Sequence, residues 1–415
     1  MNEAVFSTAD ILLPQGVNMH QWSVVACDQY TSEPEYWNRV EQTVGDSPST
    51  YHMILPEVFL GAPDAEERIS RINASMRQYL DRGIFFCLQD SSIYLERTIA
   101  PGKIRRGLVG KLDLMAYEYG KGSLSAVRPT EGTVESRLPP RIKVREHAPL
   151  ETPHIMVLID DPEKTVIEPL AQKKDALKPV YDFTLMEQGG AIRGWQVTGE
   201  ACGQIDAALA GLKGRLSGQN ENPLLFAVGD GNHSLATAKA CFEKLRQTLP
   251  REKWENHPAR WALVELVNIH DAAMQFEPIH RVLFDVDPEQ VRRELDSYYK
   301  VEQKECGGQS FDMVVGGKKE RLFIKNPSSQ LAVGTLQTFL DDYLARFGGT
   351  VDYIHGGEVV MQLSQKERAV GFLLPAMQKS ELFPTVIADG ALPRKTFSMG
   401  NAYEKRYYLE CRAIR

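Results

Sequence analysis

A continuous apolar run that ends in a glycine-rich polar loop is the feature that most constrains how this chain folds. The run PLLFAVGD, residues 223–230, leads through Gly231, Asn232 and His233 into the amphipathic segment Ser234–Leu249. An apolar run of this length indicates a buried strand, and apolar residues at helical spacing indicate a helix. The sequence therefore predicts a strand, a tight loop and a helix in direct succession, as in α/β proteins.

The loop between this strand and this helix has the chemistry of an anion site. Gly231 allows a sharp turn and a close approach of a ligand, and the helix start offers unpaired N–H groups and a positive dipole end. His233 titrates near neutral pH, and Asp230 could take a proton, hold a metal or orient His233. Asn232 and Ser234 add hydrogen bonds. A plain turn with a helix cap also favours these residue types, but the whole set at one strand end favours function.

Composition excludes several classes of protein. The chain has 48 Lys and Arg against 55 Asp and Glu, a net charge of -7, whereas nucleic-acid binders usually carry a basic surplus. The six cysteines are scattered, without metal-ligand spacing, as expected in a reducing compartment. The N-terminal stretch lacks the pattern of a signal peptide, and no apolar stretch reaches membrane-spanning length. We therefore expect a cytoplasmic protein without nucleic-acid or membrane partners.

The remaining pattern alternates strands and helices, which predicts an α/β protein with α+β character and mixed sheets. Helices are expected at Asp64–Leu80, Gly199–Leu212, Ser234–Leu249, residues 288–298 and Thr335–Arg346, and strands include LFIKN, EVVMQL and AVGFLLPA near the C-terminal end. The polar segment Arg128–Glu151 is expected to be a long exposed connection. Soft boundaries near Pro162 and Lys300 give domains at 1–162, 163–300 and 301–415.

The run VGDGNHSLATA resembles the D-G-H-H-R-x-x-x-A signature of the domain-of-unknown-function 1015 (DUF1015) family. That signature is similar to the D-G-x-H-R loop of the ParB/sulfiredoxin-like fold. Further segments fit the family in order along the chain: VVACDQY with Asp28, the E-x-T pair Glu131 and Thr133 with Arg137 downstream, LVNIHDAAMQFEPIHRVLF with His280 and Arg281, and LPRKTF with Lys395. The resemblance covers most of the chain.

This resemblance implies a ParB/sulfiredoxin-like strand-loop-helix unit and a phosphoryl-transfer enzyme acting on a small hydroxyl metabolite. Free L-serine is the implied acceptor, with pyrophosphate or a nucleotide as donor. The alternative is a ParB-like nucleotide-binding regulatory module without transfer activity. A third reading, a metal-dependent hydrolase using Asp230, His233 and His280, lacks a tight metal-binding pattern. The chain departs from the signature at Asn232, usually His, and at Ser234, where the lost Arg removes a bidentate phosphate contact.

Roles follow from the loop chemistry and the resemblance together. Asp230, His233 and Asp28 are the expected catalytic residues. Phosphate or substrate binding is expected at Gly231, Asn232, Ser234, Glu131, Thr133, Arg137, His280, Arg281 and Lys395. Arg137, Arg141, Lys143 and Arg145 are candidates for the cation lost at Ser234. Phosphoryl transfer usually needs Mg²⁺, so we expect this cofactor without assigned ligands. The expected partners are the substrate and the phosphate donor, with a homo-oligomer as one possible assembly.

Overall fold

The computed structural model describes residues 4–120, 122–218 and 222–415, and these residues form two units. Unit 1 runs to Pro129, continues over Thr133–Met274 and ends with Asn401–Arg415. Unit 2 contains Thr130–Gly132 and Gln275–Gly400. The C-terminal stretch of the sequence is therefore part of the same unit as the glycine-rich loop.

The secondary structure alternates along the chain. The strands are β1 (Phe6–Ser7), β2 (Ala9–Pro14), β3 (Phe85–Ala100), β4 (Lys103–Asp113), β5 (Val127–Pro129), β6 (Leu150–Glu151), β7 (Met156–Ile159), β8 (Lys178–Thr184), β9 (Ala191–Val197), β10 (Phe226–Asp230), β11 (Trp261–Asn268), β12 (Glu277–Phe284), β13 (Gln309–Val315), β14 (Lys318–Ile324), β15 (Thr350–His355), β16 (Ala369–Leu373), β17 (Phe397–Ser398) and β18 (Arg412–Ala413). The α-helices are α1 (Met19–Trp22), α2 (Pro34–Val44), α3 (Ala65–Asp81), α4 (Leu138–Arg145), α5 (Glu168–Lys173), α6 (Glu200–Ser217), α7 (Asn232–Thr248), α8 (Arg251–Trp254), α9 (Pro288–Tyr299), α10 (Ala332–Phe347), α11 (Gly357–Leu363) and α12 (Lys379–Asp389).

Unit 1 is built on a mixed sheet with the strand order β5-β10-β7-β11-β4-β3-β9-β8, in which β1 also pairs with β4 and β2 with β3. The pairs β5–β10 and β7–β11 are parallel, and the other pairs are antiparallel. Because β10 runs antiparallel to β7, Asp230 at the end of β10 lies opposite Met156 at the start of β7. The prediction of an α/β fold with mixed sheets is confirmed.

Hydrophobic packing holds the predicted strand and helix on both sides of the loop. Phe226 and Val228 of β10 are fully buried in one cluster with Leu235 and Phe242 of α7 and Leu212 of α6. Full burial of a side chain of this size contributes about 1.5–3 kcal/mol. The loop between β10 and α7 is therefore anchored at both ends by the core of unit 1.

Unit 2 contains an antiparallel sheet with the order β14-β13-β16-β12-β15, and β17 pairs with β12. Its helix α9 begins as the sequence predicts, because the Asp287 carboxylate accepts the N–H of Glu289 at 3.0 Å. Of the helices in the described parts of both units, none has the length and apolar character needed to cross a membrane.

Several expectations about elements are confirmed and two are wrong. The helices expected at Asp64–Leu80, Gly199–Leu212 and Ser234–Leu249 correspond to α3, α6 and α7. The segment Arg128–Glu151 is not an exposed connection, because it contains β5, α4 and β6 and both of its end residues are buried. EVVMQL forms α11 rather than a strand, since a short apolar run fits either period.

The domain boundaries expected near Pro162 and Lys300 fall inside unit 1 and unit 2 respectively. The first lies just after β7, and the second follows α9. The division of the chain at 1–162, 163–300 and 301–415 stays a prediction.

Candidate functional site

The turn between β10 and α7 requires glycine at residue 231. Gly231 has φ +74° and ψ +26°, the left-handed conformation that other residues rarely adopt. A Cβ atom at this position would lie 3.0 Å from Cα of Ile155 and 3.4 Å from Cδ2 of His154. The Gly231 N–H donates to the Asp230 carboxylate at 3.0 Å. The loop is therefore tight, and its backbone lies directly against the residues before β7.

The start of α7 presents N–H groups that the helix itself does not satisfy. No side chain of the described residues caps this helix, and its first internal bond joins the Leu235 N–H to the Gly231 carbonyl at 3.0 Å. The first-turn N–H groups of Asn232, His233 and Ser234 lie at the positive end of the helix dipole, equivalent to about half a charge. The side-chain oxygen of Asn232 is buried without a hydrogen-bond partner among the described residues. Such a helix start is suited to bind an anion.

His233 is oriented by the backbone of the preceding segment. The N–H of Val134 donates to Nε2 of His233 at 3.3 Å, and the His233 carbonyl accepts the Thr237 hydroxyl at 2.7 Å. An imidazole that accepts at Nε2 carries its proton on Nδ1. The structure thus brings His233 next to Val134 and places the ring proton on Nδ1.

Asp230 is paired with a lysine from the end of the chain. The Lys405 ammonium lies 3.3 Å from Oδ2 of Asp230, and the two side chains are 13% and 15% exposed. Lys405 follows the buried Glu404 and precedes the buried Arg406. The pair places a positive charge beside the start of α7.

Asp28 joins the same cluster through His154. Nε2 of His154 lies 3.8 Å from Oδ2 of Asp28, and Nδ1 is 2.8 Å from the Tyr408 hydroxyl. The His154 ring also packs against the position of Gly231, as its Cδ2 contact there shows. His154 therefore lies between Asp28 and the turn that carries Asp230 and Gly231.

The pKa of Asp28 is held below its usual value. Burial of the carboxyl would raise this pKa, but the positive charges of His154 and Lys405 and a hydrogen bond from Gln29 at 2.9 Å together outweigh burial. The carboxylate is consequently ionised at neutral pH and remains partly accessible, with 27% of the side chain exposed.

Three of the four cations that the sequence predicted as substitutes for an arginine at position 234 form ion pairs with glutamates. Arg141 pairs with Glu57, Lys143 with Glu66, and Arg145 with Glu151 at 2.6 Å. Arg137 is exposed, and its carbonyl accepts a hydrogen bond from Arg141 at 2.5 Å.

Unit 2 holds the other predicted site residues. Arg281 is fully buried, and its guanidinium donates to the carbonyls of Lys395 at 2.9 Å, Arg394 at 3.0 Å and also Ile279. Burial lowers the pKa of Arg281 to about 10, and the charge of Glu131 opposes this shift. Arg281 therefore shapes the turn at Lys395, whose φ is +57°.

His280 precedes Arg281 and is also buried. Its Nδ1 accepts the N–H of Leu374 at 3.1 Å. Burial lowers the pKa of His280, and the positive charge of Arg281 adds to this shift. The imidazole is accordingly neutral at neutral pH, with its proton on Nε2.

The structure groups the predicted residues by unit. Asp28, Thr133, Asp230, Gly231, Asn232, His233 and Ser234 belong to the cluster in unit 1, and Glu131, His280, Arg281 and Lys395 belong to unit 2. The sequence interpretation missed His154, Tyr408 and Lys405. Within the described ranges, no group of three His, Cys, Asp or Glu side chains is arranged to hold a metal ion.

Comparison with known proteins places the chain. Residues 11–343 match the family described as "Protein of unknown function (DUF1015)". The chain belongs to the DUF1015 family. No curated protein matches this DUF1015 chain.

Some solved structures resemble this DUF1015 protein at low identity. A free serine kinase in complex with AMP is 12% identical, with 72% of this chain and 90% of that chain covered and a TM-score of 0.38. A conserved hypothetical protein from Pyrococcus furiosus is 13% identical with the same coverage and a TM-score of 0.35. A truncated SbnI from Staphylococcus aureus is 11% identical, with 62% and 85% covered and a TM-score of 0.30. Likenesses of this size do not define what this chain binds.

Proposed function

We propose that this DUF1015 protein is a phosphoryl-transfer enzyme that acts on a small hydroxyl metabolite. L-serine is the first acceptor to test, and pyrophosphate or a nucleotide is the donor. The observation that carries the proposal is the start of α7, where no cap from a side chain of the described residues is found, with Asp230 on the turn and with His154 beside both the turn and Asp28. An anion site near the ionised Asp28 carboxylate suits a reaction between a phosphate and a hydroxyl group.

The start of α7 supplies the phosphate-binding part of the proposed site. The N–H groups of Asn232, His233 and Ser234 and the helix dipole stabilise negative charge on phosphate oxygens. Nε2 of His233 accepts the Val134 N–H, which leaves the ring proton on Nδ1, and this N–H is proposed to turn to the phosphate when the donor binds. Donors fixed by the backbone need no reorganisation during the reaction, which is the main source of electrostatic catalysis.

Asp28 supplies the acceptor-activating part of the proposed site. In the reaction, the bond between the transferred phosphorus and the donor's bridging oxygen breaks, and a bond from phosphorus to the acceptor hydroxyl oxygen forms. The hydroxyl proton moves to a carboxylate and then to solvent. An ionised Asp28 can accept a hydrogen bond from the acceptor hydroxyl and so orient it, as a catalytic aspartate does in kinases.

The carboxylates of the proposed site suit a magnesium ion that is bound together with the phosphate donor. Mg²⁺ is commonly held by one or two carboxylates together with phosphate oxygens, so the described residues need not form a protein cage. Asp230 would hold it, and the ion would neutralise charge on the phosphates. Arg137 of unit 1 is also a proposed substrate-binding residue, and the binding roles expected for Glu131, His280, Arg281 and Lys395 of unit 2 stay predictions.

A single panel of reactions tests the proposal. Purified protein is incubated with L-serine or other small hydroxyl compounds and with ATP, ADP, CTP or pyrophosphate, with and without Mg²⁺, and products are followed by phosphorus NMR. We expect phosphoserine or another phosphate monoester. Nucleotide binding without any transfer would instead support the regulatory-module alternative.

Variants of two Asp–His pairs sharpen this test. Asp28→Asn removes the proposed orienting carboxylate, and we expect turnover to fall at least about 100-fold. Asp160→Asn is the matched control, because the Asp160 carboxylate also contacts an imidazole, that of His270, at 2.7 Å. Asp160 directly follows β7, at the end of the strand that lies away from the loop. Equal losses in both variants would contradict a specific role of Asp28.

A further inference from the structure

Lys405 is a charged residue of the cluster that no sequence pattern assigned. Its ammonium contacts Asp230 at 3.3 Å, and its positive charge also favours the ionised form of Asp28. The remaining exposure of the side chain leaves the ammonium within reach of a ligand at the loop.

Buried guanidinium groups fix the backbone on both sides of Lys405. Arg97 is 1% exposed and donates to the carbonyls of Tyr403 at 2.5 Å and of Lys405. Arg105 donates to the Glu404 carbonyl at 2.9 Å, and Arg406 binds Glu265 and, at 3.2 Å, the Pro153 carbonyl. Burying three guanidinium groups is expensive unless each is well paired. Paired in this way, the three guanidinium groups fix the position of the backbone at Tyr403, Glu404 and Lys405.

The neighbouring strand-like segment brings Lys405 to Asp28 as well. The Ala26 N–H donates to the Arg406 carbonyl at 3.0 Å, and the Tyr408 N–H donates to the Val24 carbonyl at 2.8 Å. Through these bonds, the segment after Glu404 lies antiparallel to the residues that precede Asp28. The ammonium is thus preorganised beside both carboxylates rather than carried by a free tail.

The charge balance of the cluster indicates a role for the Lys405 ammonium. A polyphosphate that carries one Mg²⁺ still brings net negative charge to the start of α7, where Asp230 and Asp28 are also negative and the helix dipole offsets only about half a charge. Ser234 supplies no cation, and Arg141, Lys143 and Arg145 are paired with glutamates. Lys405 is the cation that the structure places in ion-pair contact with Asp230.

We propose that Lys405 is a substrate-contacting residue that binds the terminal phosphate of the donor and so takes the place of an arginine at position 234. This inference rests on the proposed function, since it assumes that a phosphate donor occupies the loop. Lysine binds phosphate as a point charge, and the Asp230 contact holds the ammonium in place until the donor arrives. Pyrophosphate and ATP share the required terminal phosphate.

The experiment measures donor binding separately from transfer. Calorimetric titrations with pyrophosphate and with ATP use wild-type protein, K405A and K103A, and folding of each is checked by circular dichroism. K103A is the matched control, because Lys103 pairs with Glu404 at 3.2 Å on the same segment. We expect K405A to weaken binding of at least one donor about tenfold or more, with a smaller dependence of affinity on salt, and K103A to bind as wild type does.

A second variant tests the exchange of cations directly. Adding S234R to K405A returns a cation to the loop from the start of α7, so we expect donor affinity to recover in the double variant. A purely structural Lys405 would not be rescued in this way. Failure of rescue together with equal weakening in K103A overturns the proposal, as does unchanged donor binding in a folded K405A protein.

The outcomes separate this inference from the proposed function. Donor binding that depends on Lys405, without phosphate transfer to any hydroxyl compound, overturns the enzyme and retains the Lys405 contact. Transfer that proceeds equally well in wild type and K405A retains the enzyme and overturns the contact. A wild-type protein that binds neither pyrophosphate nor ATP overturns both.

Discussion

Nε2 of His154 lies 3.8 Å from Oδ2 of Asp28, while Nδ1 of the same ring lies 2.8 Å from the hydroxyl of Tyr408. The imidazole therefore spans the distance between a buried tyrosine and a partly exposed carboxylate. Since the ring also contacts the Gly231 turn, one buried side chain sets both the charge of Asp28 and the shape of the loop.

Replacement of His154 is expected to shift the pH dependence of activity. The His154 charge is the largest of the effects that lower the pKa of Asp28 against burial, so H154Q raises that pKa. Asp28 must be ionised in the proposed reaction, and activity is lost as the pH falls through its pKa. The acidic limb of the pH–rate profile should thus move to higher pH in H154Q.

His52 provides a control for this substitution. Nδ1 of His52 also meets a tyrosine hydroxyl, that of Tyr79 at 3.0 Å, but no carboxylate of the cluster acts on its charge. H52Q should leave the acidic limb where it is in wild type. An unshifted limb in H154Q would remove His154 from the control of Asp28.

Replacement of His233 is expected to separate activity from folding. The side chain is half-buried in the first turn of α7, and its proposed donor is Nδ1. Loss of a proton donor or acceptor typically lowers turnover about 100-fold or more. H233A should show that loss in kcat with a nearly unchanged thermal transition, and wild-type turnover in H233A would exclude the loop from the mechanism.

The sequence predicts the strand, the loop and the helix because their signals are local. Residues 223–249 carry the apolar period of each element and the glycine between them, so β10, Gly231 and α7 follow from a short window. The prediction that Arg128–Glu151 is an exposed connection was wrong because its many charged residues are typical of solvated loops. Arg128 and Glu151 are instead buried against partners distant along the chain. Local polarity does not report such partners.

Lys405 and His154 could not be predicted for a related reason. Lys405 reaches Asp230 only because the C-terminal segment is fixed within unit 1. A signal was present in the run EKRYYLE, residues 404–410, where the charged residues Glu404, Arg406 and Glu410 stand among Tyr407, Tyr408 and Leu409, and all six are buried. Charged residues interspersed with large apolar and aromatic residues are typical of a segment enclosed by partners rather than of a solvated tail.

A methyl group at Gly231 should destabilise the protein through two effects that a control can separate. In G231A the left-handed φ is strained and the new Cβ lies 3.0 Å from Cα of Ile155, a backbone atom that cannot move aside. Gly102 has nearly the same φ, +75°, but no atom of the parts of the chain that the structure describes lies within 4 Å of its Cβ position. In urea unfolding we expect G102A to lose about 1 kcal/mol from strain alone and G231A to lose at least about 1 kcal/mol more. Equal losses would show that the turn is not closely packed.

The buried ion network that anchors Lys405 should make stability depend on Arg406. Arg406 pairs with Glu265 and, at 2.5 Å, with Glu410, and the side chains of all three residues are at most 2% exposed. R406M leaves two buried carboxylates without their main cation, so we expect a loss of about 3–5 kcal/mol in the free energy of unfolding at neutral pH. R39M is the control, because Arg39 pairs with Glu187 at the surface, and its stability should change little.

The pH dependence of that loss identifies its cause. Burial raises the pKa of Glu265, but Arg406 and Arg105 outweigh burial and hold it below its usual value. In wild type the stabilisation from Glu265 is therefore complete above the unfolded-state pKa and is lost as the pH falls through the folded-state value. In R406M the pKa of Glu265 should instead rise, so the carboxylate is neutralised at higher pH. The stability difference between wild type and R406M, measured by urea unfolding, should consequently shrink as the pH is lowered, and a constant difference would point to lost packing instead of lost charge pairing.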